Sequence, residues 1–590
     1  MQNCTFALLK SKMNKLITLL FFIVNSCAFA STIQLPDTSF RIDEERKMIV
    51  CNADISQFKF DDNNITVKIN NHNFTVLDRV SILKIGSKYT LALENGYLRY
   101  SLFFTTLPLI FIDTDDHILD TPKILSRINV IETGGKITSS NAGIEYRGAT
   151  SQNYPKKSFE IEFWNDKTGD DTKDLSLLNM REDKDWNLQA MFNEPLKIAS
   201  KTAWEIWDSM SALYYKDKEP DARTGIQIRY AEVFVNGSYQ GLFALSEKID
   251  RKQLKLKKNT ETEIRGELYK GDSIMTTNYY DLPEFDNTSE KWGGFEYKYP
   301  KALRDWSNLY ALHEFAINSP DEVFYSQYKE RYDQQNITDY FIFLNLMRAT
   351  DNTGKNVYTA RYNKGEKYFF IPWDLDGVLG RIWNSSSENI TDDILSNGLY
   401  YRLYNDPRSD GFRADLKLRW TELRNTTVTT DHMMQILIDN FNDLKNNGAL
   451  ERDQIVNPGS TISSEYEEFL YIREWLTQRI AYLDKAFDFE PINTPPVEPD
   501  NDMIVEEKPT SYILYPNPAK NYIYLVDNHN KSKSRINYTI YSSTGRIIQN
   551  ISGHSIEQSI YVGNFANGNY IINITKDNEP SQSLKLIIDK

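Results

Sequence analysis

The chain has 590 residues, 40% of them hydrophobic and 13% aromatic, so it can bury several cores and reads as more than one domain. Lys and Arg total 68 against 82 Asp and Glu, a formal charge of −14 without a long basic run, which argues against a nucleic-acid partner. Its three cysteines are Cys4, Cys27 and Cys51, and its six histidines (His72, His117, His313, His432, His529, His554) are scattered, with no HExxH pair and no G-x-S-x-G.

The first 30 residues have a Lys-flanked front, an apolar stretch Leu16–Val24 and a small-residue end, Ala28-Phe29-Ala30. They read as a secretory signal peptide, with Met13 as an alternative start and Cys27 as an alternative lipidation site. Removal of that segment leaves Cys51 alone, which excludes an internal disulfide and a cysteine-based zinc site. No other apolar run approaches the roughly 20 residues that span a membrane.

Residues 31–107 alternate apolar and polar positions between Asn- and Gly-rich breaks, and ITVKI, FTVLDRV, KYTLAL and YLRYSLFF read as strands. Residues 108–488 mix strands and helices. In VFVNGSYQGLFAL (Val233–Leu245) the pair Asn236-Gly237 marks a hairpin turn. Leu196–Met210 and Ile337–Thr350 read as helices. Ser463–Phe487 places Phe469, Ile472, Leu476, Ile480 and Leu483 on one helical face. Residues 489–510 are rich in proline and acid and read as a linker. Residues 511–590 carry five short strands (YIYLV, NYTIY, GRIIQN, NYIINI, LKLIID), as in a small immunoglobulin-like β-sandwich. The fold class expected is therefore α+β, with a β region before and a β tail after the mixed domain.

The chemistry centres on RATDNTGKNVY (Arg348–Tyr358). Asp351 and Asn356 precede a strand, NVYTARY, then a turn at Asn363-Lys364-Gly365, then a second strand, KYFFIPW, ended by Pro372. Asp374-Leu375-Asp376-Gly377 follows. Folding of that hairpin is expected to bring Asp351, Asn356 and Asp374 together at its mouth, although D-x-D-G alone also reads as a turn. Converging oxygen ligands suit a hard cation such as Mg²⁺, which keeps several waters and is usually shared with substrate phosphates. Further upstream, Gly148-Ala149-Thr150-Ser151 is a small hydroxyl-bearing loop after a strand, able to approach phosphate oxygens closely. Lys157 shares a strand face with Phe159, Ile161 and Phe163. It is expected either to point inward toward an anion or to reach solvent from the strand end, with Lys156 as the alternative if the register slips by one. Glu247 closes the strand FALSEK, as a nucleotide contact, a partner of Lys157 or an exposed acid.

The D-x-x-x-x-N segment, the hairpin and the second acid cluster follow the layout of a protein-kinase catalytic segment, without its His-Arg and with W-D-L-D-G in place of D-F-G. Together with GIEYRGATSQNYPKKSFEIEF (Gly143–Phe163), YAEVFVNGSYQGLFALSEKIDRKQL (Tyr230–Leu254) and GELYKGD (Gly266–Asp272), this layout resembles the spore coat protein H (CotH) kinase family across residues 108–488. The resemblance implies an atypical, two-lobed kinase fold that transfers phosphate from Mg-ATP to protein hydroxyls. It also implies Asp351 as catalytic residue, Asn356, Asp374 and Asp376 at the metal, and Arg147, Gly148, Thr150, Ser151, Lys157 and Glu247 at the nucleotide. AMP transfer and a non-catalytic surface adhesin on the same fold are the alternatives. One departure stands out: the family's Arg-Asn pair at the start of the helix after the Trp-rich strand is here Ala199-Ser200, with Lys197 and Lys201 nearby.

The tail opens on Tyr515-Pro516-Asn517-Pro518, continues with IYSSTGRII (Ile540–Ile548) and closes on KLIIDK. In that order it resembles the C-terminal sorting domain of the type IX secretion system of Bacteroidetes, which implies a secreted or outer-membrane-surface protein with that machinery as a partner.

Overall fold

The computed structural model describes residues 31–58, 65–80, 82–94, 96–461, 464–491, 512–527, 535–542, 545–556, 558–576 and 581–590. The expected signal peptide and most of the expected linker lie outside these residues. The chain is a mixed α/β protein with nine α-helices among the described residues, and it divides into two compact units. Residues 1–190, 229–245 and 443–459 make the first; residues 191–228, 246–442 and 460–590 make the second.

The first unit begins with a seven-stranded sheet in the spatial order Ser31–Gln34, Ile65–Ile69, His72–Val76, Lys88–Leu93, Arg99–Phe104, Met48–Cys51, Phe40–Asp43. Of the strands read from residues 31–107, ITVKI and KYTLAL are present as read, YLRYSLFF from Arg99 on, and FTVLDRV is a strand only to Val76, where His72–Val76 ends; the apolar positions Ile65, Val67 and Ile69 are buried while Thr66 and Lys68 are half-buried. Cys51 is fully buried in this sheet's core.

Next comes a closed barrel, in the order Ile137–Arg147, Ser158–Trp164, Asp185–Gln189, Ser238–Ser246, Ile228–Val235, Leu109–Asp113, Ile124–Ile131. Closure leaves no edge strand to pair with another chain. Its interior is filled by Phe159, Ile161, Phe163, Trp186, Leu188 and their neighbours. The hairpin turn falls where Asn-Gly was read: Asn236 has φ 49° and Gly237 φ 79°, as a two-residue hairpin turn with positive φ at both centres requires. The helix Ala449–Val456 returns to this unit late in the chain and brings two buried charges. Arg452 pairs with Glu232, and Asp453 with Lys156 at 2.7 Å.

The second unit is built on a five-stranded antiparallel sheet, in the order Lys291–Trp292, Phe295–Tyr299, Glu267–Gly271, Val357–Arg361, Tyr368–Pro372. The helix Gln334–Met347 packs on the last strand. Asp333 caps its N-terminus by accepting from the Asn336 amide, and every residue from Asn336 to Met347 is buried, the polar ones among them paired, as Asn336 with the Phe370 carbonyl and Asp339 with Arg419. Arg348, at φ 48°, stops it in the left-handed conformation. The helix Glu465–Ala486 buries all five apolar positions read for it, with Ser464 as its cap. The tail forms a three-stranded and a four-stranded sheet that share one apolar core, consistent with a β-sandwich.

Candidate functional site

The strands Val357–Arg361 and Tyr368–Pro372 pair antiparallel, with Val357 opposite Pro372. One residue beyond, the Trp373 amide donates to the Asn356 carbonyl at 2.8 Å, so the ladder runs to the hairpin mouth. Asn356 (φ 55°) and Asp374 (φ 58°) both turn there through the left-handed region. Asn352 then fastens the mouth: its side-chain amide donates to the Asn356 and Trp373 carbonyls, each at 2.8 Å. On the other side, the Asn356 amide donates to the Gly271 carbonyl at 3.0 Å, joining the strand Glu267–Gly271 to the same point.

Asp351 lies in a short 3-10 turn, Thr350–Thr353, half-buried. Asn356 is buried, Asp374 exposed and Asp376 half-buried. Desolvation holds the Asp376 carboxyl well above the usual carboxylate range, and the negative charges of Asp374, Glu194 and Asp351 push it the same way. Asp351 and Asp374 thus both lie within electrostatic reach of Asp376. The sequence reading missed Glu194. That buried carboxyl is pushed up to about 7, first by desolvation and, among smaller effects, by Asp374. Glu194 sits just ahead of the helix Ala199–Met210 and accepts from the Ser200 amide, a contact that no local sequence signal advertises.

Among the described residues no three His, Cys, Asp or Glu side chains form a ready-made metal cluster. The donors at the mouth are nonetheless all oxygen, and their charges repel one another. Mg²⁺ takes only one or two protein carboxylates and otherwise binds water and phosphate, so the donor set fits that ion.

Arg348 anchors the acid turn from behind, pairing with Asp393 at 2.9 Å and also with Glu388. Arg479, fully buried, donates to the Asn345 carbonyl and to Asp393.

The cationic candidates depart from expectation. Lys157 stands just before its strand, half-buried, and its ammonium donates to the Gln152 and Tyr154 carbonyls rather than pointing into the barrel with Phe159, Ile161 and Phe163. The interior lysine is Lys156, 5% exposed, and its anion is Asp453. The rule that a buried ammonium needs an anion holds, with a carboxylate filling the role. Glu247, 1% exposed, accepts two bonds of 2.8 Å from the Arg223 guanidinium, so it is neither an exposed acid nor a partner of Lys157. Arg147 ends its strand opposite Ser158. Gly148, at φ 100°, begins an exposed turn in a backbone conformation that favours glycine; Thr150 follows on the surface. Lys197 and Lys201 are engaged as well, Lys197 by Ser460 at 2.7 Å and Lys201 by Glu205 at 2.6 Å.

Fold and site together define a mixed α/β protein that gathers carboxylates at a hairpin mouth behind a buried helix, followed by a β tail. Residues 144–483 match the CotH kinase protein family, and residues 513–589 match the secretion system C-terminal sorting domain. The first match covers more than half of the chain, and the chain belongs to the CotH kinase protein family. The sorting domain marks it for secretion or display at the outer-membrane surface through the type IX machinery. No curated protein matches the chain. No helix among the described residues is long and apolar enough to cross a membrane.

Proposed function

We propose that this chain is an atypical protein kinase that moves the γ-phosphoryl group of Mg-ATP to a hydroxyl of a protein substrate. The observation that supports the reading is the hairpin mouth, where the Trp373 amide meets the Asn356 carbonyl next to Asp374, and where Asp374 and Asp351 both act electrostatically on Asp376. In the proposed reaction the bond between the β–γ bridging oxygen and the γ-phosphorus breaks, and a bond from the substrate hydroxyl oxygen to that phosphorus forms. Asp351 accepts the hydroxyl proton and ADP leaves. Asn356 and Asp374 are the proposed Mg²⁺ ligands, with Asp376 in support; the ion would neutralise phosphate charge. Arg147, Gly148, Thr150 and Ser151 are proposed nucleotide contacts, as is Lys157 once its ammonium leaves the two carbonyls that hold it. Glu247 acts in support, through Arg223. The proposal takes residues 108–488 as a kinase-like domain of two lobes, and residues 1–30 as a cleaved signal peptide.

Thermal denaturation of the full chain with and without millimolar Mg-ATP tests this reading. Binding to the folded state alone stabilises it by RT ln(1 + [L]/Kd), about 2.7 kcal/mol at a hundredfold excess over Kd. The wild type should gain stability and Asp374→Ala should lose that gain. Asp351→Ala should keep nucleotide binding and lose phosphate transfer. Mg-ATP that leaves the wild type unshifted overturns the proposal, and the mass added to a labelled substrate separates phosphate from AMP transfer. The sorting tail favours a second reading, since nucleotide is scarce outside the cell: a surface binding protein on the same fold. It requires that Asp351→Ala and Asp374→Ala leave partner binding intact.

A further inference from the structure

Lys270 closes the strand Glu267–Gly271, one residue before the glycine whose carbonyl receives the Asn356 amide. Gly271 allows that contact: a Cβ there would stand 2.2 Å from the Gly354 carbonyl oxygen, so the turn carrying Asp351 rests directly on the strand end. Lys270 pairs across the ladder with Tyr358, and Tyr358 with Ile371. The Tyr358 ring meets Trp373 edge-on at 5.8 Å. Lys270, Tyr358, Ile371 and Trp373 thus share the face of the sheet that ends at Asp374.

The charges around Lys270 are shared unevenly. Glu296, its other cross-strand neighbour, is held by Lys291 at 3.2 Å and by Lys298. Asp272 is held by Lys291 at 2.6 Å. Asp374 lies within electrostatic reach of Lys270, along with Glu296, Lys298 and Asp272. Neither Lys270 nor Asp374 makes a hydrogen bond or ion pair among the described residues, and they do not pair with each other. Lys270 is half-buried, so its ammonium is partly stripped of water, and the acids near it act only through space, without a direct ion pair. The other candidate lysines, 156, 157, 197 and 201, are each tied to protein oxygens.

We propose that Lys270 grips the phosphate chain of the nucleotide beside the metal-binding acids, in addition to any contact from Lys157. A metal-bound polyphosphate supplies both missing charges at once, its cation to Asp374 and its anionic oxygens to Lys270. A strand-end lysine beside a metal-binding acid positions phosphate as a point charge, which needs no bidentate geometry. The inference rests on the phosphotransfer reading above.

Calorimetric titration of the full chain with Mg-ATP and with adenosine, for wild type, Lys270→Met and Lys270→Arg, tests it. A charge-assisted contact to phosphate predicts that Lys270→Met weakens Mg-ATP binding roughly ten- to hundredfold. Adenosine binding should stay unchanged, and Lys270→Arg should recover most of the loss. In parallel, mild acetylation of the wild type followed by peptide mass spectrometry should show Lys270 protected by Mg-ATP, which needs no variant to fold. Unaltered Mg-ATP affinity in Lys270→Met, or equal acetylation of Lys270 with and without Mg-ATP, overturns the assignment while the phosphotransfer reading stands. A wild type that binds no Mg-ATP removes both.

Discussion

Asn352 carries more of the site's geometry than its place in a turn suggests. Its two 2.8 Å bonds join the start of one strand to the end of its partner, and so fix where Asp351 and Asp374 stand relative to each other. Asn352→Ala leaves the Trp373 carbonyl without that donor, at a cost of about 1–3 kcal/mol if water cannot replace it, while the Asn356 carbonyl keeps the Trp373 amide. The variant should denature several degrees below the wild type and show a smaller Mg-ATP shift; an unchanged melting temperature would show that the latch is dispensable. Gly271→Ala is the harsher change, because its methyl group meets backbone oxygen that cannot turn away. It should reduce nucleotide binding even where folding survives. At this scale the acids were legible in the sequence because a hairpin is a local object: turn residues and two alternating strands bring its ends together whatever surrounds it. The lysines were not. Lys156 and Lys157 differ by one position in register, and what separates them is Asp453, 453 − 156 = 297 residues away. Lys270 had no signal beyond its block, since an unpaired charge shows only when its neighbours' partners are known.

Among the helices, Ser307–Asn318 holds a titratable group in an aromatic core. His313 is 1% exposed, stacks on Tyr279 at 4.2 Å between ring centroids and meets Trp292 edge-on. Its Nδ1–H donates to the Leu309 carbonyl at 2.9 Å. Burial lowers its pKa from 6.5 to about 4. A base depressed in this way is neutral in the fold while the unfolded chain takes up a proton. Its contribution is full above 6.5 and is lost as pH falls from there toward 4, up to about 3 kcal/mol. His313→Phe should flatten the fall of stability across that window, read by urea denaturation at a series of pH values; a parallel slope in both proteins refutes it. Single elements were legible wherever one pattern decided them: Asn236-Gly237 for the hairpin, and Phe469 to Leu483 for the long helix. Barrel closure was not, because it needs Leu109–Asp113 to lie beside Ile228–Val235 in parallel, a pairing of residues more than a hundred positions apart.

Across the whole molecule, Cys51 is the one cysteine among the described residues, and burial pushes its thiol up to about 11. A thiol reagent should therefore leave Cys51 unlabelled in the folded chain and label it fully once denatured, and the labelling rate of Cys51, read by peptide mass spectrometry, reports opening of the N-terminal sheet. Rapid labelling of the native protein would contradict the buried position. The Lys156–Asp453 pair makes a second test at this scale. Lys156→Met leaves a carboxylate buried without its cation, about 3–5 kcal/mol, and Asp453→Asn in the same chain should restore part of it. That pair also sets an order in time. Strands from the first third of the chain wait for residues 443–459 before their buried ammonium has a counter-ion and their unit is complete. A polypeptide emerging from its N-terminus thus lacks the last segment of its first unit until some 460 residues have been delivered.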